Sequence, residues 1–296
     1  MACPSVGKTW SQSSSQHAHA SPMIRYLLAL LPHCVKASLY QRFLVHHKSW
    51  YAARFRSAFL KYEPSVVMDL SPLDGFHGQI ALFGLYEKEV SKLLHGIAKE
   101  RGGLLVDVGA NYGYYSLLWC GARAGNQSAA IEASPANAVP LRHNVMLNHL
   151  ADCISIHEWA ASNHEGQVTF NLGSHEETGW GGISGGGSNA AQPTTAETGQ
   201  NLMVTVTCHR LDAAFPGREI EVLKIDCEGA DAWVIEGAAE LLAEKRIRHV
   251  FFEENLHRQS QLDIHPGTAV QILERFGYRW ELLDGEAGSH NFHAWC

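Results

Sequence analysis

The sequence lacks cysteine pairs and long apolar runs, and these absences exclude several classes of protein. Its seven cysteines are scattered through 296 residues with no C-x-x-C pair, which argues against a disulfide framework and a cysteine-based zinc site. The apolar run Leu27 to Leu31 is far shorter than the ~20 residues that a membrane-spanning helix needs. The first 22 residues also lack the apolar core of a secretory signal. We therefore expect a globular protein with reduced thiols in the cytoplasm.

Acidic residues are missing from the start of the chain, although the net charge of the whole chain is −7. The first acidic residue is Glu63, and only lysines and arginines carry charge before it. The acidic remainder disfavours nucleic acid binding, because phosphates would repel it. The basic start fits an organelle-targeting peptide, a segment in peripheral contact with a membrane, or a solvated helical arm. We divide the chain into a tail (1–22), a basic helical extension (23–77) and a main domain (78–296).

Several common catalytic motifs are absent as well. The sequence contains no H-E-x-x-H, no G-x-S-x-G and no Walker A loop. Among 18 histidines, the pairs His46-His47 and His290-x-x-His293 have no recognisable metal-binding spacing. We therefore expect no metal site.

Strands and helices alternate through the main domain. Short apolar runs bounded by turn residues predict strands at 104–108, 129–132, 154–157, 222–225 and 249–252. Helical spacing predicts helices at 87–99, 114–120, 136–150, 230–242 and 268–276. A strand pair at 278–283 and 291–295 closes the chain. This order predicts an α/β fold with a mostly parallel sheet and helices on both faces, which binds ligands at the carboxyl ends of its strands.

Other segments are less regular. Apolar spacing from Met23 to Tyr62 predicts one or two amphipathic helices. A strand at 66–70 then leads into a turn region around Pro72, Gly75 and Gly78. Strands at 168–172 and 203–207 flank a glycine-rich loop at 173–200, a loop so long that it is either functional or disordered.

The first candidate site follows the first core strand. Gly109 and Gly113 let the backbone approach a ligand closely, but the dinucleotide pattern G-x-G-x-x-G is absent. The carboxylate of Asp107 would repel a pyrophosphate and attract an amino group and a sulfonium. At the end of the next strand, Glu132 can accept hydrogen bonds from both hydroxyls of a ribose. The alternative is a tight structural turn in which Asn111 caps the following helix.

The second candidate site follows the fourth core strand. Asp226, Glu228 and Glu253 emerge at the same sheet edge. Neighbouring carboxylates raise one another's pKa, which favours a general base for removing a hydroxyl proton. Alternatively, Asp226 caps a helix and Lys224 forms a structural ion network with Glu228 and Glu253. A third alternative is that these carboxylates bind a divalent ion.

The run from Leu105 to Ser116 resembles the S-adenosylmethionine (SAM)-binding motif of FkbM-type methyltransferases. Further blocks resemble the same family in the same order: Tyr86-Glu87, Ile131 to Pro135, Ala160 to Ser162, and Leu223 to Ala230. The resemblance covers the chain from about Gly78 to its end. Two departures are Cys227, where the family has a small aliphatic residue, and the long glycine-rich loop around Trp180, which we interpret as a lid.

The resemblance implies a class I SAM-dependent methyltransferase with a seven-stranded, mostly parallel sheet. It implies SAM as cofactor and O-methylation of a hydroxyl group on a sugar, a glycan or a secondary metabolite. Glu87, Tyr114 and Ala160 then join the cofactor-binding residues. Two alternatives stay open, an NAD-linked oxidoreductase and a non-catalytic SAM-binding or scaffold protein, and the sequence indicates no oligomeric state.

Overall fold

A computed structural model describes residues 45–52, 54–172, 181–184, 203–286 and 288–296, together with residues 35, 38 and 42. The predicted tail at 1–22 and most of the predicted helical stretch before residue 45 lie outside the described residues. So does Trp180, with most of the glycine-rich loop around it. Within the part that is described, no helix has the length and apolar character needed to cross a membrane.

The main sheet contains seven strands in the order β5-β4-β3-β10-β11-β13-β12. The strands are β3 (Leu104–Val108), β4 (Gln127–Ile131), β5 (Ile154–His157), β10 (Ile220–Ile225), β11 (Ile247–Asn255), β12 (Arg279–Glu286) and β13 (Ser289–Trp295). The first five in this order, from β5 to β11, run parallel, and β13 is antiparallel to both of its neighbours. The order reverses between β3 and β10, which is where such sheets bind ligands. The predicted seven-stranded, mostly parallel sheet is confirmed.

Helices cover both faces of this sheet. They are α1 (Lys48–Ala52), α2 (Gly75–Phe83), α3 (Lys88–Glu100), α4 (Tyr114–Ala122), α5 (Pro135–Leu147), α6 (Leu211–Ala214), α7 (Asp231–Glu236), α8 (Ala239–Ala243), α9 (Leu256–Gln261) and α10 (Thr268–Arg275). Successive residues of β3 point to opposite faces. Leu105 accordingly packs in a core with Leu117 and Leu118 of α4, whereas Val106 packs in a second core with Val234 of α7.

A smaller sheet and a short strand pair flank the main sheet. The smaller sheet has the order β6-β9-β7-β8, formed by β6 (Ala160–Ala161), β7 (Gly166–Asn171), β8 (Gly182–Ile183) and β9 (Met203–His209). The strand pair consists of β1 (Ser57–Phe59) and β2 (Val67–Asp69). The predicted strands at 168–172 and 203–207 therefore exist, but they belong to the smaller sheet.

The helical prediction for the extension is wrong at its end. Residues 57–59 form a strand rather than continuing a helix, and Phe59 is exposed while Phe55 and Leu60 are buried. Buried residues of this segment share one core with Leu105 and Leu117 of the main domain. The proposed division at residue 77/78 stays a prediction, but α2 runs across it.

Two turn and helix predictions also need correction. Gly75 and Gly78 lie inside α2 rather than in a turn, because Asp74 caps the helix by accepting the N–H groups of Phe76 and His77. The predicted helix at 230–242 breaks into α7 and α8. At this break Gly237 packs so closely on Ser162 that a Cβ would lie 2.1 Å from the Ser162 carbonyl oxygen.

Candidate active site

Two cavities open at the carboxyl ends of β3, β4 and β10, where the strand order reverses. The Glu132 cavity has a volume of about 530 Å³, and the Tyr86 cavity has about 600 Å³. Both are lined by Gly109, Asn111 and Asp226. Ligands in the two cavities would meet at these shared residues.

The Glu132 cavity combines two acidic residues, Glu132 and Asp226, with apolar walls. Glu132 lies just after β4, and the rings of Trp159 and Phe170 line the same space. Ala160 borders it as the resemblance implied, and Ile183 of β8 covers part of it. Sequence analysis missed Trp159, because a single aromatic residue between two short strands gives no periodic signal.

Glu132 organises the loops around its own cavity. One carboxylate oxygen accepts the N–H of Asn111 at 2.7 Å, and the other accepts the N–H of Ser134 at 2.7 Å. Burial raises the pKa of Glu132 to about 7, while these hydrogen bonds act in the opposite direction. A carboxylate offers about four lone-pair positions, and the Asn137 side chain is a third hydrogen-bond partner of Glu132, so about one position is left for a ligand hydroxyl group.

Asp107 does not reach either cavity, which corrects its predicted role. It lies on the same face of β3 as Leu105, against α4, and its carboxylate accepts the N–H of Ser116 at 3.0 Å and the Ser116 hydroxyl at 2.6 Å. Burial raises the pKa of Asp107 to about 6. Asp107 therefore holds the first turn of α4 in place and makes no direct contact with a ligand in these cavities.

The two glycines of the motif also have structural roles. Gly109 has φ +79°, and a Cβ there would lie 1.9 Å from the carbonyl oxygen of Asp226. Only glycine fits at this position, because the ends of β3 and β10 approach so closely. Gly109 also lines both cavities. Gly113 has φ +93°, precedes α4 and packs against Leu141, and it lines neither cavity.

Asn111 connects the two cavities. Its backbone is left-handed, with φ +50°, which is uncommon for a residue other than glycine. The N-cap position of α4 belongs to Gly113, so the alternative in which Asn111 caps the helix is wrong. Its side-chain oxygen lies 3.0 Å from Nε2 of His77.

The Tyr86 cavity is largely aromatic. Its ring-bearing residues include Phe76, Tyr86, Tyr112, Tyr114 and Tyr115. Tyr114, predicted to contact the cofactor, thus lines this second cavity and bonds to Ser91 (Oη to Oγ, 3.1 Å). Among the residues that the structure describes, the walls also include Asp74, His77, Asp226 and Glu228, but no lysine or arginine.

Asp226 lies at the junction of the two cavities. It does not cap a helix, because α7 begins five residues later, at Asp231. Its carboxylate lies 3.6 Å from the ammonium of Lys224, which is also 3.5 Å from Glu87. Lys224 therefore forms its ion pairs with Glu87 and Asp226, and the predicted pairing with Glu228 and Glu253 is wrong.

Lys224 is a buried cation within a group of carboxylates. Burial lowers the pKa of Lys224, but Glu87 and Asp226 outweigh this effect, and the net pKa is raised. Glu87 also accepts a hydrogen bond from the Tyr115 hydroxyl at 2.5 Å and lines neither cavity. Lys224 thus keeps Glu87 and Asp226 close together and compensates one of their two negative charges.

Glu253 lies behind Asp226 and lines neither cavity. It accepts a hydrogen bond from the Ser289 hydroxyl, and burial followed by the nearby Asp226 raises its pKa. Oxygens of Glu87, Asp226 and Glu253 lie within 4.8 Å of one another, close enough to hold a metal ion. The absence of a metal therefore stays a prediction, as does the catalytic role of Glu253.

Glu228 faces the Tyr86 cavity from a strained position. Its φ is +51°, and its carboxylate lies 3.4 Å from the Asn255 side-chain nitrogen and 3.7 Å from Nε of Arg258. Burial, together with the charge of Asp226, raises the pKa of Glu228 to about 8. A carboxylate with this pKa that borders a cavity is a candidate general base.

Asp231 is a structural residue that sequence analysis missed. Its carboxylate accepts the N–H of Cys227 at 3.3 Å and the N–H of Glu253 at 3.0 Å. Burial, followed by Asp226, raises its pKa to about 7. Asp231 thereby ties the loop after β10 to β11 and fixes where Asp226 lies.

Comparisons with known proteins agree with this geometry. The model of the "Methyltransferase FkbM domain" family matches residues 107–280. No curated protein sequence matches the chain.

Solved structures resemble the chain at low sequence identity. A methyltransferase FkbM from Methylobacillus flagellatus is 14% identical with a TM-score of 0.44, covering 88% of this chain and 60% of its own. An O-methyltransferase from Bacillus cereus in complex with SAH is 12% identical with a TM-score of 0.42, covering 88% and 96%. A precorrin-6y C5,15-methyltransferase from Geobacter metallireducens is 13% identical with a TM-score of 0.40, covering 71% and 89%.

Proposed function

We propose, because this chain belongs to the FkbM methyltransferase family, that it transfers the methyl group of SAM to a hydroxyl group of a small molecule or glycan. The chain is a methyltransferase with the class I fold; SAM and the hydroxyl acceptor are the proposed parts. The observation that carries the proposal is the junction of two cavities at Asp226, at the point where the strand order reverses. Because the chain belongs to this family, the NAD-linked oxidoreductase is no longer an alternative.

The Glu132 cavity suits the nucleoside half of SAM. Glu132 keeps about one lone pair available for a ribose hydroxyl after accepting the two backbone N–H groups and bonding to the Asn137 side chain. The Trp159 and Phe170 rings offer apolar walls to an adenine. These features favour a nucleoside over a free amino acid or a phosphate.

Asp226 suits the charged centre of the same molecule. When bound, SAM supplies an electrophilic methyl group on a positively charged sulfur. The carboxylate of Asp226 at the junction attracts positive charge. Lys224 holds this carboxylate from behind at 3.6 Å, so that its position does not depend on the ligand.

The Tyr86 cavity suits an uncharged acceptor. Its aromatic rings can pack against a sugar ring or an aromatic ring, and its carboxylates can accept hydrogen bonds from hydroxyl groups. Because no lysine or arginine is among the described residues that line it, we expect a phosphorylated or carboxylated acceptor to be repelled there. Glu228 is the group best placed to accept the hydroxyl proton, since its pKa of about 8 leaves it partly ionised at neutral pH.

Methyl transfer from labelled SAM to a panel of neutral and phosphorylated hydroxyl compounds tests the proposal. We expect labelled product with neutral compounds, and Asp226→Asn should weaken SAM binding, because it removes the charge that attracts the sulfonium, and lower turnover as well. If SAM binds but no acceptor in a broad panel is methylated, the non-catalytic alternative is favoured. Cytoplasmic location and membrane contact through the basic N-terminus stay predictions.

A further inference from the structure

We propose that His77 is a positioning residue that holds Asn111 in its left-handed conformation and so couples the acceptor cavity to the cofactor cavity. This inference rests on the proposed function for the identity of the two ligands. His77 lies in α2, ahead of the residues that match the family model. Neither its residue type nor its spacing distinguishes it in the sequence from the chain's other histidines.

The hydrogen bonds of His77 define its protonation. Nδ1 lies 3.4 Å from the backbone nitrogen of Ser71, which can only donate. The ring proton is therefore on Nε2, which donates to the side-chain oxygen of Asn111 at 3.0 Å. Burial lowers the pKa of His77, which keeps the ring in this neutral form.

The ring itself is held from several sides. His77 is 4% exposed, and its ring centroid lies 4.2 Å from that of Tyr112. Its backbone N–H donates to Asp74 at 3.1 Å, and Tyr51 anchors the same helix by donating to the Gly78 carbonyl at 2.6 Å. The donor that faces Asn111 is thus fixed by the fold before any ligand arrives.

Asn111 transmits this position to both cavities. Its side chain is held by His77, and its backbone N–H donates to Glu132 at 2.7 Å. A residue in the left-handed region persists there only when its surroundings enforce it. Without the bond from His77, the Asn111 loop can relax, and the N–H aimed at Glu132 moves with it.

Two variants separate the hydrogen bond from the packing. His77→Gln places an amide nitrogen near the position of Nε2 and keeps a donor for Asn111, whereas His77→Phe keeps a ring against Tyr112 and removes the donor. We expect His77→Phe to raise the Kd of S-adenosylhomocysteine and the KM for SAM about 5- to 10-fold, the size of one lost hydrogen bond. His77→Gln should stay within about 2-fold of the wild type.

A double-mutant cycle tests whether His77 acts through Asn111. In an Asn111→Ala background, His77→Phe should weaken binding no further. If His77→Phe does not remain folded, His77→Asn replaces it, because its shorter amide matches Nδ1 and does not reach Asn111. Thermal unfolding of every variant reports whether it is folded.

The outcomes are distinct. Wild-type affinity in folded His77→Phe, equal losses in His77→Phe and His77→Gln, or additive effects with Asn111→Ala would each overturn the inference. Failure of the wild-type protein to bind S-adenosylhomocysteine would instead overturn the proposed function. Calorimetry of the wild type therefore comes first.

Discussion

Asp107 shows how a residue in a binding motif can act on the fold instead of the ligand. Its residue type and its place at a strand end indicated a contact with the cofactor, but the period of two along β3 turns it toward α4. The sequence predicts strand β3, and the alternation of side chains along a strand predicts in principle which face of the sheet Asp107 lies on. The partner, Ser116, becomes visible only when the helix is placed.

Replacing Asp107 should therefore lower the free energy of unfolding more than it weakens cofactor binding. Asp107→Ala leaves the N–H and the hydroxyl of Ser116 without their buried acceptor, so we expect the free energy of unfolding to fall by about 2 kcal/mol or more. Asp107→Asn keeps one acceptor oxygen and should lose less. Denaturant unfolding and calorimetry with S-adenosylhomocysteine measure both quantities; lost affinity in an equally stable Asp107→Ala protein would contradict this role.

Glu228 gives a prediction about pH. A general base works only when ionised, and the pKa of Glu228 is raised to about 8, so activity should climb as the pH rises and level off above about 8. Glu228→Gln should lower turnover by roughly 10²–10⁴-fold and flatten this rise. The measurement is kcat/KM from pH 6 to 9.5, and an unchanged rise in the Glu228→Gln protein would assign the titration to another group.

At the scale of secondary structure elements, the buried strands were the most predictable. Strands β3 and β5 begin and end as predicted, because each is a short apolar run between turn residues. The strand at 57–59 was missed because its apolar residues also fit a helical period. Helix α9 was missed because Leu256–Gln261 is polar and begins with an Asn255 cap directly after a strand.

The close contact between β3 and β10 gives a prediction about an element junction. Gly109→Ala would place a Cβ 1.9 Å from the Asp226 carbonyl oxygen at φ +79°. We expect it to lower the free energy of unfolding by about 3 kcal/mol or more, through overpacking and left-handed strain together. Denaturant unfolding measures this change.

Gly125→Ala is the matched control for that substitution. Gly125 also has a positive φ, +92°, but a Cβ there would have nothing within 4 Å. Only the strain of about 1–2 kcal/mol should remain. Equal losses in the two variants would show that the junction is not as tight as its geometry indicates.

At the scale of the whole molecule, the sheet and the family blocks were predictable, but the second cavity was not. Its walls join Phe76 and His77 of α2 to Tyr112 and Glu228 after β3 and β10. Residues so far apart in sequence meet only through the tertiary fold. The aromatic residues between 76 and 86 had no periodic pattern that would mark them as a wall.

The location of these walls predicts that the tail is dispensable for the reaction. Among the described residues, the lining of the two cavities begins at Met68, and we expect deletion of residues 1–22 to leave the Kd of S-adenosylhomocysteine and the turnover within about 2-fold. Calorimetry and methyl transfer with the truncated protein check this. A large loss in either quantity would place part of the tail in the active site.

The central claim is that the Glu132 cavity binds the nucleoside of SAM. Calorimetry with S-adenosylhomocysteine and NAD, on the wild type and Glu132→Gln, tests it most directly, with Glu158→Gln as a control for an exposed carboxylate. We predict that the wild type and the control bind S-adenosylhomocysteine but not NAD, and that Glu132→Gln binds it roughly 10- to 100-fold more weakly through loss of charged hydrogen bonds. Binding of NAD alone, or equal affinity in Glu132→Gln, would contradict the account.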